Sequence, residues 1–212
     1  MEKKILSIDL DIIMHPCIQQ YNDDVEGDDN PIDLWIALEN EYKLDDYNLL
    51  KYDSNIILEI TKLLKYNKDK GKKIYYIQEH QEIVDILQKS PTYQNDQYHI
   101  YNIDFHHDLW YQEEDFDDIL KHNEYTCANW AGYLFLKKKL KSFTWLKAPN
   151  SDDLEIKPYG SNIQINYLTL GDFYKLYDLN FDEIFFCLSP QWIPPKFHFF
   201  YDLIKLLLQE GE

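Results

Sequence analysis

HIYNIDFHHD, residues 99–108, joins a short run of β-branched and aromatic residues to a cluster of carboxylate and imidazole side chains. The run is too short for a helix and rich in strand formers, so it predicts a buried strand over His99–Asp104. Five similar runs flank it in the chain: Ile5–Leu10, Ile74–Gln78, Phe143–Leu146, Ile163–Leu170 and Ile184–Leu188. Between them, apolar residues recur at helical spacing in Ile56–Tyr66, Gln81–Lys89, Phe116–His122, Trp130–Leu140 and Phe199–Leu208. Strand and helix alternate, which predicts an α/β fold: a mostly parallel sheet covered on both faces, three layers in all. The chain contains no repeat, low-complexity tract or dividing linker, and the polar stretch Tyr21–Pro31 is the best loop candidate. Residues 1–212 are therefore expected to form a single domain.

Composition narrows the function classes. Of 212 residues, 45% are hydrophobic and 16% aromatic, enough for a packed core, which excludes general disorder. Asp and Glu number 38 against 21 basic residues, for a net charge of −17. That balance argues against nucleic acid or an anionic membrane as partner and favours a cationic guest. Every basic residue is Lys, so no guanidinium fork is available to hold phosphate or carboxylate. Cys17, Cys127 and Cys187 are widely spaced and suggest neither a disulfide framework nor a zinc knuckle. The amino-terminal apolar run is broken by Asp9 and Asp11, and no run approaches the ~20 residues of a bilayer span. A cytoplasmic location is the expectation.

In open α/β sheets ligands bind beyond the carboxyl ends of the strands. Here those ends carry Asp9 and Asp11 (SIDLD), His80 (QEH), and Asp104, His106 and Asp108 (DFHHD). Residues two apart on an extended chain share a face, so each set is expected to converge. Taken singly, Asp9 or Asp11 is more often a cap or turn former, and His80 a structural histidine. The Asp104-x-His106-x-Asp108 trio has little structural purpose, and it points to metal. Four hard carboxylates and two imidazoles without a thiolate suit manganese better than structural zinc, and four carboxylates together call for more than one cation.

The DxHxD trio, the Glu79–His80 dipeptide and the Asp9–Asp11 DLD together resemble the metal-binding motifs of the arginase and deacetylase superfamily. More narrowly, the chain is similar to the UPF0489 family and its peptide arginases, which convert arginine side chains of ribosomally made precursor peptides to ornithine. Leu34–Trp35, YYIQEH, IDFHHDL, the Asn129 of CANWAGYL and FCLSPQWIPP extend the likeness over residues 5–195. In ordinary arginases the DxD strand follows the DxHxD strand; here it comes first.

The resemblance implies an arginase-like fold and two Mn²⁺ ions. Asp104 and Asp9 would bridge them, with His80 and Asp108 completing one shell and His106 and Asp11 the other. Water activated between the ions would attack the guanidinium carbon, releasing urea. The substrate would be an arginine-containing precursor peptide. Asn129, Ser189 and Trp192 match recurring features and become substrate-binding candidates, although turn and cap roles suit Asn129 and Ser189 equally. The acidic stretches Asp23–Asp29 and Glu113–Asp118 could meet a guanidinium, but as individual residues they read better as solvated loops. His107 would face away from its neighbours on a regular strand, where a structural role outweighs a proton shuttle. Lys137–Lys139 reads as the solvated face of a helix.

Three rivals compete with this expectation. A haloacid-dehalogenase-type phosphatase would explain ILSIDLD but not DFHHD, and it lacks a late acidic pair. Another amidohydrolase or deacetylase of the same superfamily would require a tandem His pair outside the trio. A non-catalytic protein could bind a basic peptide through the same acidic face. Free arginine remains a rival substrate, yet its α-carboxylate would have to be held without Arg, so arginine within a peptide is the easier guest.

Overall fold

The computed structural model describes residues 1–14, 30–43, 51–109, 116–149, 151 and 164–209. The elements run β1 (Glu2–Asp9), α1 (Pro31–Tyr42), α2 (Ser54–Asp69), β2 (Ile74–Ile77), α3 (Gln81–Gln88), β3 (Gln97–Asp104), α4 (Phe116–His122), α5 (Trp130–Leu136), β4 (Leu140–Lys147), β5 (Gln164–Leu168), β6 (Glu183–Cys187) and α6 (Phe199–Gln209). All six strands pair in parallel in one sheet, in the order β2-β6-β1-β3-β4-β5.

Alternation along the strands builds two cores, one on each face. Leu6 and Ile8 of β1, Ile103 of β3, and Ile184 and Phe186 of β6 pack beneath α1, α2 and α6, against Trp35, Ile60, Leu63 and Ile204. The intervening Ile5, Ile100, Phe185 and Cys187 face the other way, against Ile83 and Val84 of α3 and Trp130 and Leu134 of α5. The result is the expected three-layer α/β/α arrangement, with every strand parallel.

The strand order places the site. The connection from β1 leads toward β2 on one side of the sheet, and that from β3 toward β4 on the other. The connections thus leave the carboxyl ends of these adjacent strands in opposite directions, opening the crevice where ligands bind in such sheets. Asp9 and Asp104 are the last residues of β1 and β3.

Three local expectations need correction. Helix α1, which is not among the expected helices, opens at the last residue of the expected loop, because Pro31 sits in its first turn, where a missing N–H costs nothing. Trp35 and Leu38 then bury one face of that helix. Helix α5 stops at Leu136, not Leu140: Lys138 adopts a left-handed φ of 57° and reverses the chain into β4. Lys137–Lys139 is therefore a turn rather than a helix face, and the Lys139 ammonium donates to the carbonyls of Tyr93 and Gln94. Cys17, the acidic stretch Asp23–Asp29 and residues 113–115 lie outside the described residues. No helix among the described residues is long and apolar enough to cross a membrane.

Candidate metal centre

The two Asp-rich strand ends converge through turns, not through continued extension. After Asp9 the chain enters a 3-10 turn, Leu10–Ile13, capped by the Asp9 side chain, which accepts from the Asp11 N–H at 3.0 Å. After Asp104 the chain bends, with one Asp104 oxygen, Oδ1, accepting from the His106 N–H at 2.8 Å. Asp108 then takes a left-handed φ of 54°, and its carbonyl accepts from the first N–H groups of α5, those of Ala131 and Gly132. Five non-glycine residues have positive φ among those described. Lys43, Asn123 and Lys138 end helices; the other two, Asp108 and Ser189, stand in this site.

The side chains meet below the surface. Asp9, Asp11, His80, Asp104 and Asp108 are buried, and His106 keeps 31% of its side chain exposed. Three carboxylate oxygens surround the His80 Nδ1: Asp108 Oδ2 at 2.8 Å, Asp9 Oδ2 at 3.4 Å and Asp104 Oδ2 at 3.5 Å. The His106 Nδ1 lies 2.9 Å from Asp11 Oδ2 and 4.0 Å from Asp104 Oδ1. Asp104 therefore turns one oxygen toward each histidine, standing between two donor sets.

Three observations match a metal centre. Metal–ligand bonds of about 2.1 Å meeting at right angles leave donor atoms about 3 Å apart, close to the shortest separations here. The Asp11 Oδ2 is buried and accepts no well-aligned hydrogen bond, and its close neighbour is the His106 ring nitrogen, an ion pair when that ring is protonated and a pair of co-ligands when a metal is bound. Finally, four buried carboxylates repel one another. Burial and the Asp11 charge push Asp9 up to about 7. Burial and the charges of Asp108, Asp11 and Asp9 hold Asp104 well above the carboxylate range. Burial alone would lower His80, but the Asp9 and Asp108 charges outweigh it and raise it to about 9. Protons thus do, in the metal-free protein, what cations would do in the loaded one.

Four of the six ligand candidates are held from behind. The Ser7 hydroxyl lies within hydrogen-bond distance of His80 Nε2, at 3.2 Å, and accepts its N–H in the tautomer that frees Nδ1 for a metal. Asn102 donates to Asp104 Oδ2 at 2.9 Å, and the Ser189 hydroxyl donates to Asp9 Oδ2 at 2.5 Å. The buried Trp130 indole N–H donates to Asp108 Oδ2 at 2.6 Å. Together with His80, this bond keeps Asp108 below the usual carboxylate range in spite of its burial. Trp130→Phe keeps the ring and removes the donor. It is expected to lower divalent-metal affinity about 10–100-fold, measured by titration calorimetry. The metal-free fold should lose about 1–3 kcal/mol.

Of the other expected residues, Ser189 and Trp192 are in the site and Asn129 has the contacts of a turn former. Trp192 packs on His106 with ring centroids 4.3 Å apart, at the exposed edge of the cluster. Gln191 between them links the rim: its carbonyl accepts from the Trp35 indole, and its amide donates to Glu79 at 3.2 Å. The Asn129 side chain accepts from the Thr126 N–H at 2.6 Å, closing the turn before α5. His107 edges against Trp145 and its Nδ1 accepts from the Leu109 N–H, again turn contacts.

Sequence reasoning missed Ser7, Asn102, Trp130 and Cys187. Ser7 and Asn102 each stand two residues before a metal-site Asp on the same strand face, a signal that was available. Trp130 comes from a distant helix and left none. Cys187 corrects the donor inventory: its thiol, Asp9 and His80 offer donor atoms within 4.8 Å of one another. Burial and then the Asp9 charge push that thiol well above its ordinary range. No protein-family model matches the chain, and neither a curated protein nor a solved structure does.

Proposed function

We propose that this protein is a manganese-dependent hydrolase of the arginase type, acting on arginine side chains within a peptide to give ornithine and urea. The observation that carries this reading is Asp104 set between His80–Asp108 and His106–Asp11 with one oxygen toward each, the arrangement of a carboxylate bridging two ions. The substrate assignment rests on the motif likeness at Asp9–Asp11, Glu79–His80 and Asp104–Asp108, and on charge.

His80, Asp108, Asp9 and Asp104 would hold one ion, and His106, Asp11 and Asp104 the other. Bound manganese would supply Lewis acidity, bringing water toward ionisation near neutral pH. Ser7 and Trp130 keep the His80 side of the site in one orientation, so little reorganisation accompanies reaction. The exposed edge at His106 is where a side chain can enter, and Trp192 offers it an aromatic face suited to a guanidinium. Water adds to the guanidinium carbon, the bond from that carbon to the side-chain nitrogen breaks, and this nitrogen takes up a proton as urea departs. The −17 charge draws the cationic peptide toward the site.

Manganese-loaded protein incubated with arginine-containing peptides is expected to yield ornithine residues, read by mass spectrometry, with one urea per conversion. Protein that binds manganese but releases no urea from such peptides or from free arginine would overturn the reading.

A further inference from the structure

We propose that Cys187, Asp9 and His80 form a second, thiophilic metal subsite that takes a zinc-class ion in competition with the hard-ion centre. Cys187 ends β6 and is the register partner of Asp9 in the adjacent parallel strand, so both side chains project from the same face of the sheet at its carboxyl edge. Their donor atoms and a ring nitrogen of His80 all lie within 4.8 Å of one another. The three residues are buried.

The donor chemistry differs from that of the neighbouring sets. Asp11–Asp104–His106 and His80–Asp104–Asp108 each offer two carboxylates and one imidazole. The third set exchanges a carboxylate for sulfur, and thiolate selects softer ions such as Zn²⁺ or Cd²⁺ over manganese. The thiol is already oriented: it lies 3.4 Å from the Gln78 carbonyl and 3.3 Å from the Ser189 hydroxyl, which in turn donates to Asp9. On binding, a sulfur–metal bond forms, the thiol proton passes to solvent, and no electron is transferred. Because Asp9 and His80 belong to both arrangements, an ion drawn toward Cys187 removes two ligands from the manganese centre. Zinc-class ions therefore act as competitors at this site.

This inference rests on the metal-centre reading in sharing Asp9 and His80, but it does not depend on arginine hydrolysis. In Co²⁺-loaded protein a near-ultraviolet thiolate-to-cobalt charge-transfer band is expected, and Cys187→Ser should abolish it. The same variant should weaken Zn²⁺ and Cd²⁺ binding by more than about tenfold, and by a larger factor than it weakens manganese binding. X-ray absorption of the Cd²⁺-loaded wild type should show one sulfur in the ion's shell, which needs no variant to fold. Bound cobalt or cadmium without a sulfur ligand would overturn the proposal, as would equal zinc affinity in wild type and Cys187→Ser. Failure of manganese to bind would sink the proposed hydrolase while leaving these sulfur measurements decisive.

Discussion

Asp104→Asn is expected to abolish turnover, by at least about 1000-fold, or about 4 kcal/mol of barrier, and to remove both metal ions together. Asp104 contributes to each donor set, so its neutral amide weakens both at once. No other residue in the cluster has an oxygen near both histidines. The effect on the metal-free fold should have the opposite sign. Burial and three neighbouring carboxylates raise Asp104 well above its ordinary range, so its ionised form carries a cost in the metal-free fold. An amide avoids that cost while losing about one hydrogen bond, because either His106 N–H or Asn102 then meets an NH₂ group. Metal-free Asp104→Asn should therefore melt no lower than the metal-free wild type, yet gain nothing from added manganese. Elemental analysis of loaded protein beside thermal melts with and without chelator separates the cases. A variant retaining two ions would end the bridging role, and one melting well below wild type without metal would make Asp104 a structural residue.

The second large effect is the stability gained on metal loading, which should grow with pH. His80 is raised from 6.5 to about 9, so its charged form stabilises the metal-free fold fully below 6.5, and that contribution is lost as pH rises through 9. Asp9, raised from 3.8 to about 7, and Asp104, raised well above 3.8, act in the same direction: rising pH forces charge into a buried cluster. Asp108 is lowered, so its contribution is complete above 3.8 and stays constant over this interval. Between about pH 6 and about pH 9 the metal-free protein should thus lose up to about 3 kcal/mol through His80 alone. Divalent ions take the place of these protons, so loading both relieves the repulsion and releases protons to solvent. The melting-temperature gap between manganese-loaded and chelator-treated protein is expected to widen by roughly 6–12 °C across that range. A gap that stays constant or narrows with pH would show that ions do not replace protons in the cluster.

The fold was largely legible because buried parallel strands announce themselves as short runs such as IYNID and EIFFC, separated by helical spacing. The exceptions are local choices that pattern does not settle. Pro31 serves equally well to end a loop or open a helix, and the packing of Trp35 decides for the helix. Lys138 carries no signal for a left-handed turn, and the pull of Leu140 into β4 sets it there.

The site divides along the same line. By itself the sequence determined which side chains stand at the carboxyl edge: Asp9, Asp11, His80, Asp104, His106 and Asp108 all follow an apolar run directly, and an α/β sheet can put such residues nowhere else. Only the tertiary structure decided how they meet. Strand order brings β1 and β3 side by side and β6 next to β1, which is why Cys187, a lone thiol in the sequence, joins Asp9 and His80. Turns after Asp9 and Asp104, rather than extended alternation, aim Asp11 and His106 at each other. Trp130 reaches Asp108 from a helix 22 residues further along. Periodicity reports which face a residue takes within its own element, whereas pairings between elements depend on crossovers whose direction local sequence does not encode.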